Sequence, residues 1–351
     1  MVRQEDIEYM RRAMELAERG VGFTNPNPMV GAVIVHDGVI IGEGFHRCCG
    51  QAHAEVNAIA SVKDESLLRE STIYVSLEPC SHYGKTPPCA ELIIRKRIPH
   101  VVIGCLDPFP EVSGRGVRML REAGIEVVTG VLEEEARRLN KAFMTFQTRK
   151  RPYVTLKWAE SADGYIDKIR PNDTEPPVVF STPETLARVH KMRAESAAIL
   201  VGKHTALLDN PSLTVRHWTG KSPVRLVIDR DGTLPAKLHI LDGSVPTWVF
   251  TERQKASEGK VEYIHLDFKS SVVFQILRTL YERNINSLMV EGGAIVLQQF
   301  IDAGLWDEAF VEKSPVDIGE GVKAPIVHAG TVSFEAFGGH TTLHYRHESK
   351  V

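Results

Sequence analysis

His53-Ala54-Glu55, Pro79-Cys80 and Cys89 are the residues in this chain best suited to do chemistry together. One imidazole and two thiolates are three good zinc ligands, and three protein ligands leave a fourth tetrahedral position for water. Zinc lowers the pKa of such a water toward ~7, and a carboxylate two residues after the histidine can take its proton without ligating the metal. His53, Cys80 and Cys89 are therefore expected to hold one Zn2+ per chain, with Glu55 as the catalytic proton carrier. The alternative is a closed structural zinc site with Cys48 or Cys49 as fourth ligand, which leaves the His-Ala-Glu and Pro-Cys pairings as coincidences.

Such a site needs elements to hold it. The spacing predicts a helix over 5–19 ending at Gly20, then a proline-punctuated loop, TNPNP. GAVIV and VIIGEGF flank Asp37-Gly38, a hairpin signal. A short helix over 53–62 carries the His-Ala-Glu, a strand TIYVSL leads into Glu78-Pro79-Cys80, and Pro87-Pro88 precede a helix opening at Cys89. VVIG, a helix around 116–123 and IEVVTG follow, giving about five strands covered by helices. A helix over 132–147 runs into Arg149-Lys150-Arg151-Pro152, the expected boundary between domains 1–150 and 151–351. Beyond it YVTLKWA, AAILVG, VRLVID, TWVF, YIHL and SLMV read as strands of a second α/β domain, with a long loop over 168–178. Thr341–His347 reads as a solvent-facing terminal strand.

The 351 residues suit two domains, each able to bury a core. Against 45 acidic residues stand 42 basic ones, a formal charge of −3, which excludes a generally basic nucleic-acid coat. No apolar stretch approaches the ~18 residues of a membrane span. MVRQEDIEYM carries acids where an export signal has an apolar core, so a cytoplasmic protein is expected, with no membrane partner. Five cysteines, four of them between 48 and 89, suit a metal site better than a disulfide framework; Cys48 and Cys49 read as buried or half-buried thiols beside the site and Cys105 as core.

His-x-Glu with Pro-Cys and a second cysteine is the pattern of hydrolytic nucleobase deaminases, which usually place two residues between the cysteines; here eight intervene. Those eight, with Pro26-Asn27-Pro28-Met29-Val30-Gly31, His53-Ala54-Glu55, the run Glu78–Cys89, Asp107-Pro108 and Gly114-Arg115-Gly116, resemble the bifunctional riboflavin-biosynthesis deaminase–reductase family. The resemblance implies a cytidine-deaminase-like α/β/α domain. It would remove the 2-amino group of 2,5-diamino-6-ribosylamino-4(3H)-pyrimidinone 5′-phosphate, with Asn27, His46, His82 and Lys85 lining the substrate pocket. Phe109 departs from the family's frequent Asp-Pro-Asn-Pro.

In the second half, Val290-Glu291-Gly292-Gly293 before an apolar helix is by itself a weak phosphate-binding signal. The resemblance extends through Leu156-Lys157, Ser161–Gly164, Arg193–Leu200, the stretch Gly202–Arg216 and Val227-Ile228-Asp229, and implies a dihydrofolate-reductase-like α/β domain using NADPH to reduce the ribosyl group to ribityl. It places Lys157, Arg193, Leu213, Arg216 and Glu291 at the substrate, and Ala159, Thr205, Asp209, Gly292 and Gly293 at the cofactor. Arg230 pairs with the cofactor's 2′-phosphate or forms a surface ion pair. Two departures mark this half: Pro176–Pro183 replaces a Gly-x-Ser-x-Trp-Ile-Thr-like segment, with Val179 at the tryptophan, and Ala159-Glu160 replaces two small residues.

The expected partner is thus a small pyrimidine ribosylamine phosphate, without nucleic acid, and the chain is expected to form a homo-oligomer. The alternatives are a deaminase whose reductase-like half is structural or oligomerising and, more remotely, a nucleic-acid base deaminase, against which the eight-residue spacer and the −3 charge argue.

Overall fold

The computed structural model describes residues 3–83, 87–109, 113–328 and 331–347. The chain divides into two compact units, Met1–Lys150 and Arg151–Val351.

The first unit runs α1 (Gln4–Glu18), β1 (Gly31–His36), β2 (Val39–Phe45), α2 (Ala54–Ser61), β3 (Thr72–Leu77), α3 (Cys89–Lys96), β4 (His100–Cys105), α4 (Arg115–Glu122), β5 (Glu126–Thr129), α5 (Glu133–Leu139) and α6 (Lys141–Arg149). Its sheet has the order β2-β1-β3-β4-β5. The β1–β2 hairpin is antiparallel and turns at Asp37-Gly38, both at positive φ, while β3, β4 and β5 are parallel. Strand alternation sorts β1 between two layers: Ala32 and Ile34 pack with α2, α3 and α4, Val33 and Val35 with α1, α5 and α6. The α2 backbone lies so close to β2 that a Cβ on Gly44 would stand 2.3 Å from the Ala58 nitrogen. Glycine there lets the helix carrying Glu55 seat on the hairpin.

The expected helix over 132–147 is two helices. They meet at Asn140, whose amide accepts from the Met29 N–H and donates to the Met29 carbonyl, both at 2.8 Å. A tertiary bond to the 24–30 loop outcompetes continuous helix at that residue. Cys105 is buried and Cys48 half-buried as expected, but Cys49 is exposed.

The second unit runs β6 (Tyr153–Glu160), β7 (Tyr165–Asp167), α7 (Pro183–Glu195), β8 (Ala198–Gly202), α8 (Lys203–Asp209), β9 (Val224–Ile228), β10 (Thr247–Thr251), β11 (Val261–His265), α9 (Val272–Glu282), β12 (Ser287–Val290), α10 (Ala294–Asp302), β13 (Glu308–Lys313), β14 (Val322–Lys323), β15 (Thr331–Phe337) and β16 (His340–Arg346). Nine strands form one sheet, β11-β10-β9-β8-β12-β6-β13-β16-β15, and β7 pairs with β14 separately. The run from β11 to β13 is parallel; β16 and β15 join it antiparallel. Helices α9 and α10 cover one face over Val154, Leu156 and Trp158, and α7 and α8 cover the other over Ile199, Val201 and Val227. The expected terminal strand forms, with Thr341 and Arg346 exposed and the rest half-buried or buried. β16 lies between β13 and β15, and His340 at its start is buried against Glu312.

Asn140→Ala removes both partners of the Met29 backbone. We expect the first unit to lose about 1–3 kcal/mol, measured by denaturant unfolding. An unchanged midpoint would show that water replaces the amide.

Candidate functional site

In the first unit three donor atoms converge. His53 Nδ1 lies 3.5 Å from Cys80 Sγ and 3.4 Å from Cys89 Sγ, and the three donors all fall within 4.8 Å of one another. His53 is the N-cap of α2, Cys80 follows β3, and Cys89 is the first residue of α3. The backbone N–H of Cys89, at the positive end of α3, donates to Cys80 Sγ at 3.2 Å. Hydrogen bonds from Cys89 and His53 hold the Cys80 thiol below its usual range, so one sulfur of the pair is prepared as thiolate. One imidazole nitrogen and two sulfurs at this separation fit a zinc ion, and among the described residues three protein donors leave the set open. The exposed Cys49 and half-covered Cys48 are not part of this donor group.

Glu55, in the first turn of α2, is 3% exposed. Burial, with the neighbouring Cys80 sulfur, pushes its carboxyl up to about 7. A carboxyl with that affinity can both accept and release a proton near neutrality. A cavity of about 570 Å3 opens onto this group and is lined by Asn27, His46, His53, Glu55, Cys80 and His82 among others. Asn27 Nδ2 and His46 Nε2 are 3.2 Å apart, and His46 Nδ1 is 3.1 Å from the Ala52 carbonyl. Nδ1 therefore donates and Nε2 accepts. Burial first, then His53, lowers the His46 pKa, consistent with that neutral ring. Lys85 lies outside the described residues.

Sequence reasoning missed Glu78. Its Oε1 accepts from the N–H groups of Gly116 and Val117 and its Oε2 from those of Asp107 and Gly114, at 2.9–3.2 Å. One carboxylate thus ties the end of β3 to the start of α4 and sets Phe109 and Arg115 on the cavity wall. The Glu-Pro-Cys run was the available signal, though not for these partners.

In the second unit Arg193 and Glu291 form a two-pronged pair, Nε at 2.7 Å and Nη2 at 2.6 Å. Burial pushes the Glu291 carboxyl up, but Arg193 and then Lys157 outweigh it and hold it below its ordinary range. Lys157 Nζ stands 3.7 Å from Glu312. His190, which sequence reasoning also missed, is buried beside Arg193; desolvation first, then the Arg193 and Arg216 guanidiniums, push it down to about 4. Its neutral Nδ1 accepts the Arg216 N–H at 2.9 Å, leaving the Arg216 side chain at the surface. Arg193, Lys157 and Glu291 come together; Leu213 does not join them. At φ 52°, its apolar side chain packs into the core with Ile199 and Val227.

The cofactor residues divide. Gly292 and Gly293, at φ 137° and 78°, lead into α10, and a Cβ on either would stand within 3.3 Å of the Thr205 side chain. That open backbone at a helix N-terminus beside a hydroxyl fits a phosphate of a dinucleotide. Asp209, however, is already bound to Arg170, whose buried guanidinium also bonds Asp167 and the Leu208 and Glu175 carbonyls. The loop after β7 is therefore strapped to α8. Arg230 takes the surface ion pair, 2.9 Å from Glu252 with its side chain 57% exposed. Ala159 faces Glu312 across the β6–β13 register.

Among known proteins, residues 152–341 match the family model described as the RibD C-terminal domain, and residues 3–105 match that of the cytidine and deoxycytidylate deaminase zinc-binding region. The riboflavin biosynthesis protein RibD of Aquifex aeolicus is 42% identical over 327 residues, 92% of this chain and 90% of that one. Its Escherichia coli namesake is 36% identical over 90% of this chain and 89% of its own. The crystal structure of a Thermotoga maritima protein described as a diaminohydroxyphosphoribosylaminopyrimidine deaminase/5-amino-6-(5-phosphoribosylamino)uracil reductase superposes with a TM-score of 0.89 at 41% identity, covering 97% of this chain and 98% of that one. Acinetobacter baumannii RibD superposes at 0.87 with 32% identity, covering 99% of each chain. With both halves matched in one continuous alignment, the chain belongs to the RibD family of riboflavin-biosynthesis enzymes, a deaminase-type half followed by a reductase-type half.

Proposed function

We propose that residues 1–150 hydrolyse the 2-amino group from 2,5-diamino-6-ribosylamino-4(3H)-pyrimidinone 5′-phosphate, and that residues 151–351 then reduce the ribosyl side chain to ribityl with NADPH. The observation that carries this reading is the convergence of His53, Cys80 and Cys89 beside a buried Glu55. A zinc ion held there supplies the Lewis acidity that makes water nucleophilic near neutral pH. Glu55 takes the proton of the attacking water and gives it to the departing amine, so water and the aminopyrimidine become oxopyrimidine and ammonia. Asn27, oriented by His46, offers its amide to the base, and His82 lines the same cavity. Arg115, with Lys85 by the resemblance, brings positive charge for the phosphate.

In the second half a bound NADPH would supply the hydride for the ribosyl carbon, and solvent the proton that completes the reduction. Thr205 and the Gly292-Gly293 backbone take its phosphates, a reading supported by the open backbone beside Thr205. Arg216 offers its guanidinium to the substrate phosphate, and Lys157, Arg193 and Glu291 form the charged floor beside the reacting carbon. A second reading, deamination alone, draws support from Asp209 and Arg230 being engaged by Arg170 and Glu252. Lack of NADPH oxidation on the deaminated product would select it.

Among the described residues no helix is long and apolar enough to cross a membrane. The five free cysteines fit the cytoplasm, and the β15 edge strand, with Phe334 78% exposed, fits a homo-oligomer.

Glu55→Gln is expected to slow deamination by about 10²–10⁴-fold while metal analysis still finds zinc. Wild-type turnover in that variant would remove Glu55 from the chemistry. Arg193→Met strands Glu291 and is expected to lower stability by about 3–5 kcal/mol, read by denaturant unfolding, with loss of NADPH oxidation. A variant as stable as the parent would show that the pair contributes little.

A further inference from the structure

His190 and Arg193 stand one turn apart on α7, and the segment after Leu213 crosses both. The Thr214 carbonyl accepts from Arg193 Nη1 at 3.3 Å, and the Arg216 N–H donates to His190 Nδ1 at 2.9 Å. The Val215 N–H donates to Ser222 Oγ at 3.1 Å and closes the base of a loop over 216–221. Arg216 Nη1 turns back to donate to Thr214 Oγ1 at 3.0 Å. Every residue of that loop is exposed, whereas His190 is fully buried. Arg216 is thus the residue at which the chain leaves the packed surface, and a buried imidazole holds its backbone there.

The ring suits that task. Burial and the neighbouring guanidiniums keep it neutral, so Nδ1 has a lone pair for the Arg216 N–H and the ring proton sits on Nε2. Nε2 is 3.5 Å from Arg193 Nη1, which is also a donor, so that contact is packing and not a hydrogen bond. Arg193 keeps its own partners, both Glu291 oxygens and the Thr214 carbonyl. The His217 ring packs edge-on against His190 with centroids 4.8 Å apart. A side chain without an acceptor at Nδ1 leaves the Arg216 N–H without its partner at the loop base. The backbone then turns toward water and carries the guanidinium with it.

We propose that His190 is a positioning residue for the substrate's phosphate: by accepting the Arg216 N–H it sets where the Arg216 guanidinium stands. His190 itself is buried and acts through Arg216. The proposal rests on the reading of Arg216 as the phosphate contact.

The test uses the full-length, zinc-loaded enzyme and follows NADPH oxidation on the deaminated pyrimidine ribosylamine phosphate. In His190→Leu the KM for that substrate is expected to rise about tenfold, the scale of a misplaced binding group. Its kcat, and its NADPH affinity by fluorescence titration, should stay within about twofold of the parent, the pattern of lost uniform binding. His190→Asn, whose amide oxygen comes near the place of Nδ1, should recover most of the KM. His190→Gln, whose polar atoms come near Nε2 instead, should not. Adding His190→Leu to Arg216→Met should change the KM of Arg216→Met by less than about twofold, because one residue acts through the other. A parental KM in His190→Leu, equal recovery by Asn and Gln, or additive effects in the double variant would each overturn the proposal. Should His190→Leu fail to fold, the contrast between Asn and Gln decides alone. Failure of the underlying reading looks different: Arg216→Met would then keep the parental KM, or the parent would oxidise no NADPH, and either result removes the basis of the proposal.

Discussion

Charge taken out of water must be matched group by group, because an unpaired buried ion costs several kcal/mol. Both halves of this enzyme put ionisable side chains where the fold is driest, and the surrounding backbone is arranged to satisfy them. Glu78 is the clearest case: four N–H groups from the 107–117 segment converge on one carboxylate, so the end of β3, which leads straight into Cys80, is fixed against α4. In the other half Arg225, with no exposure, meets the same demand with the Thr247 hydroxyl, the Asp242 carboxylate and backbone carbonyls. These pairings are dictated by desolvation, and the chemistry uses geometry they have already set.

The two sites use that constraint in opposite ways. Around His53 two sulfurs and a ring nitrogen converge, with a helix N-terminus and the Glu55 carboxyl beside them, as a donor set for a cation. Around Lys157 the positive charges belong to the protein: Lys157 faces Glu312 on the neighbouring strand, and Arg193 pairs with Glu291. The first arrangement invites a metal; the second holds a polar floor of protein charges alone.

What was legible in the sequence follows from how each interaction is encoded. Zinc ligands must be particular residue types on particular element ends, so residue type and spacing alone single out His53, Cys80 and Cys89. The hairpin at Asp37-Gly38 carries its own turn signature. Glu78 does not declare its role, since its partners are backbone groups and any residue has those. Asn140 looks like one more helical position; only its pairing with Met29 reveals the break. The polar alternation of 341–347 reads as a solvent-facing terminal strand; that β13 and β15 flank it is not legible, because no local signal announces its neighbours. Arg230 and Asp209 show a further limit: a motif names a residue, while the ion pair that claims it comes from a segment outside the motif.

The strand order of the second unit also bears on how the polypeptide reaches its native state. β6 emerges first from the ribosome but sits in the middle of the sheet, flanked by β12 and β13, which are made much later. The first unit closes β1, β2 and β3 from nearby segments and can condense while translation continues. The second must keep an apolar strand, Val154-Thr155-Leu156-Lys157-Trp158, waiting with both edges unpaired until most of its length exists. That interval leaves the nascent reductase half, rather than the metal-binding half, with unpaired strand edges for longer.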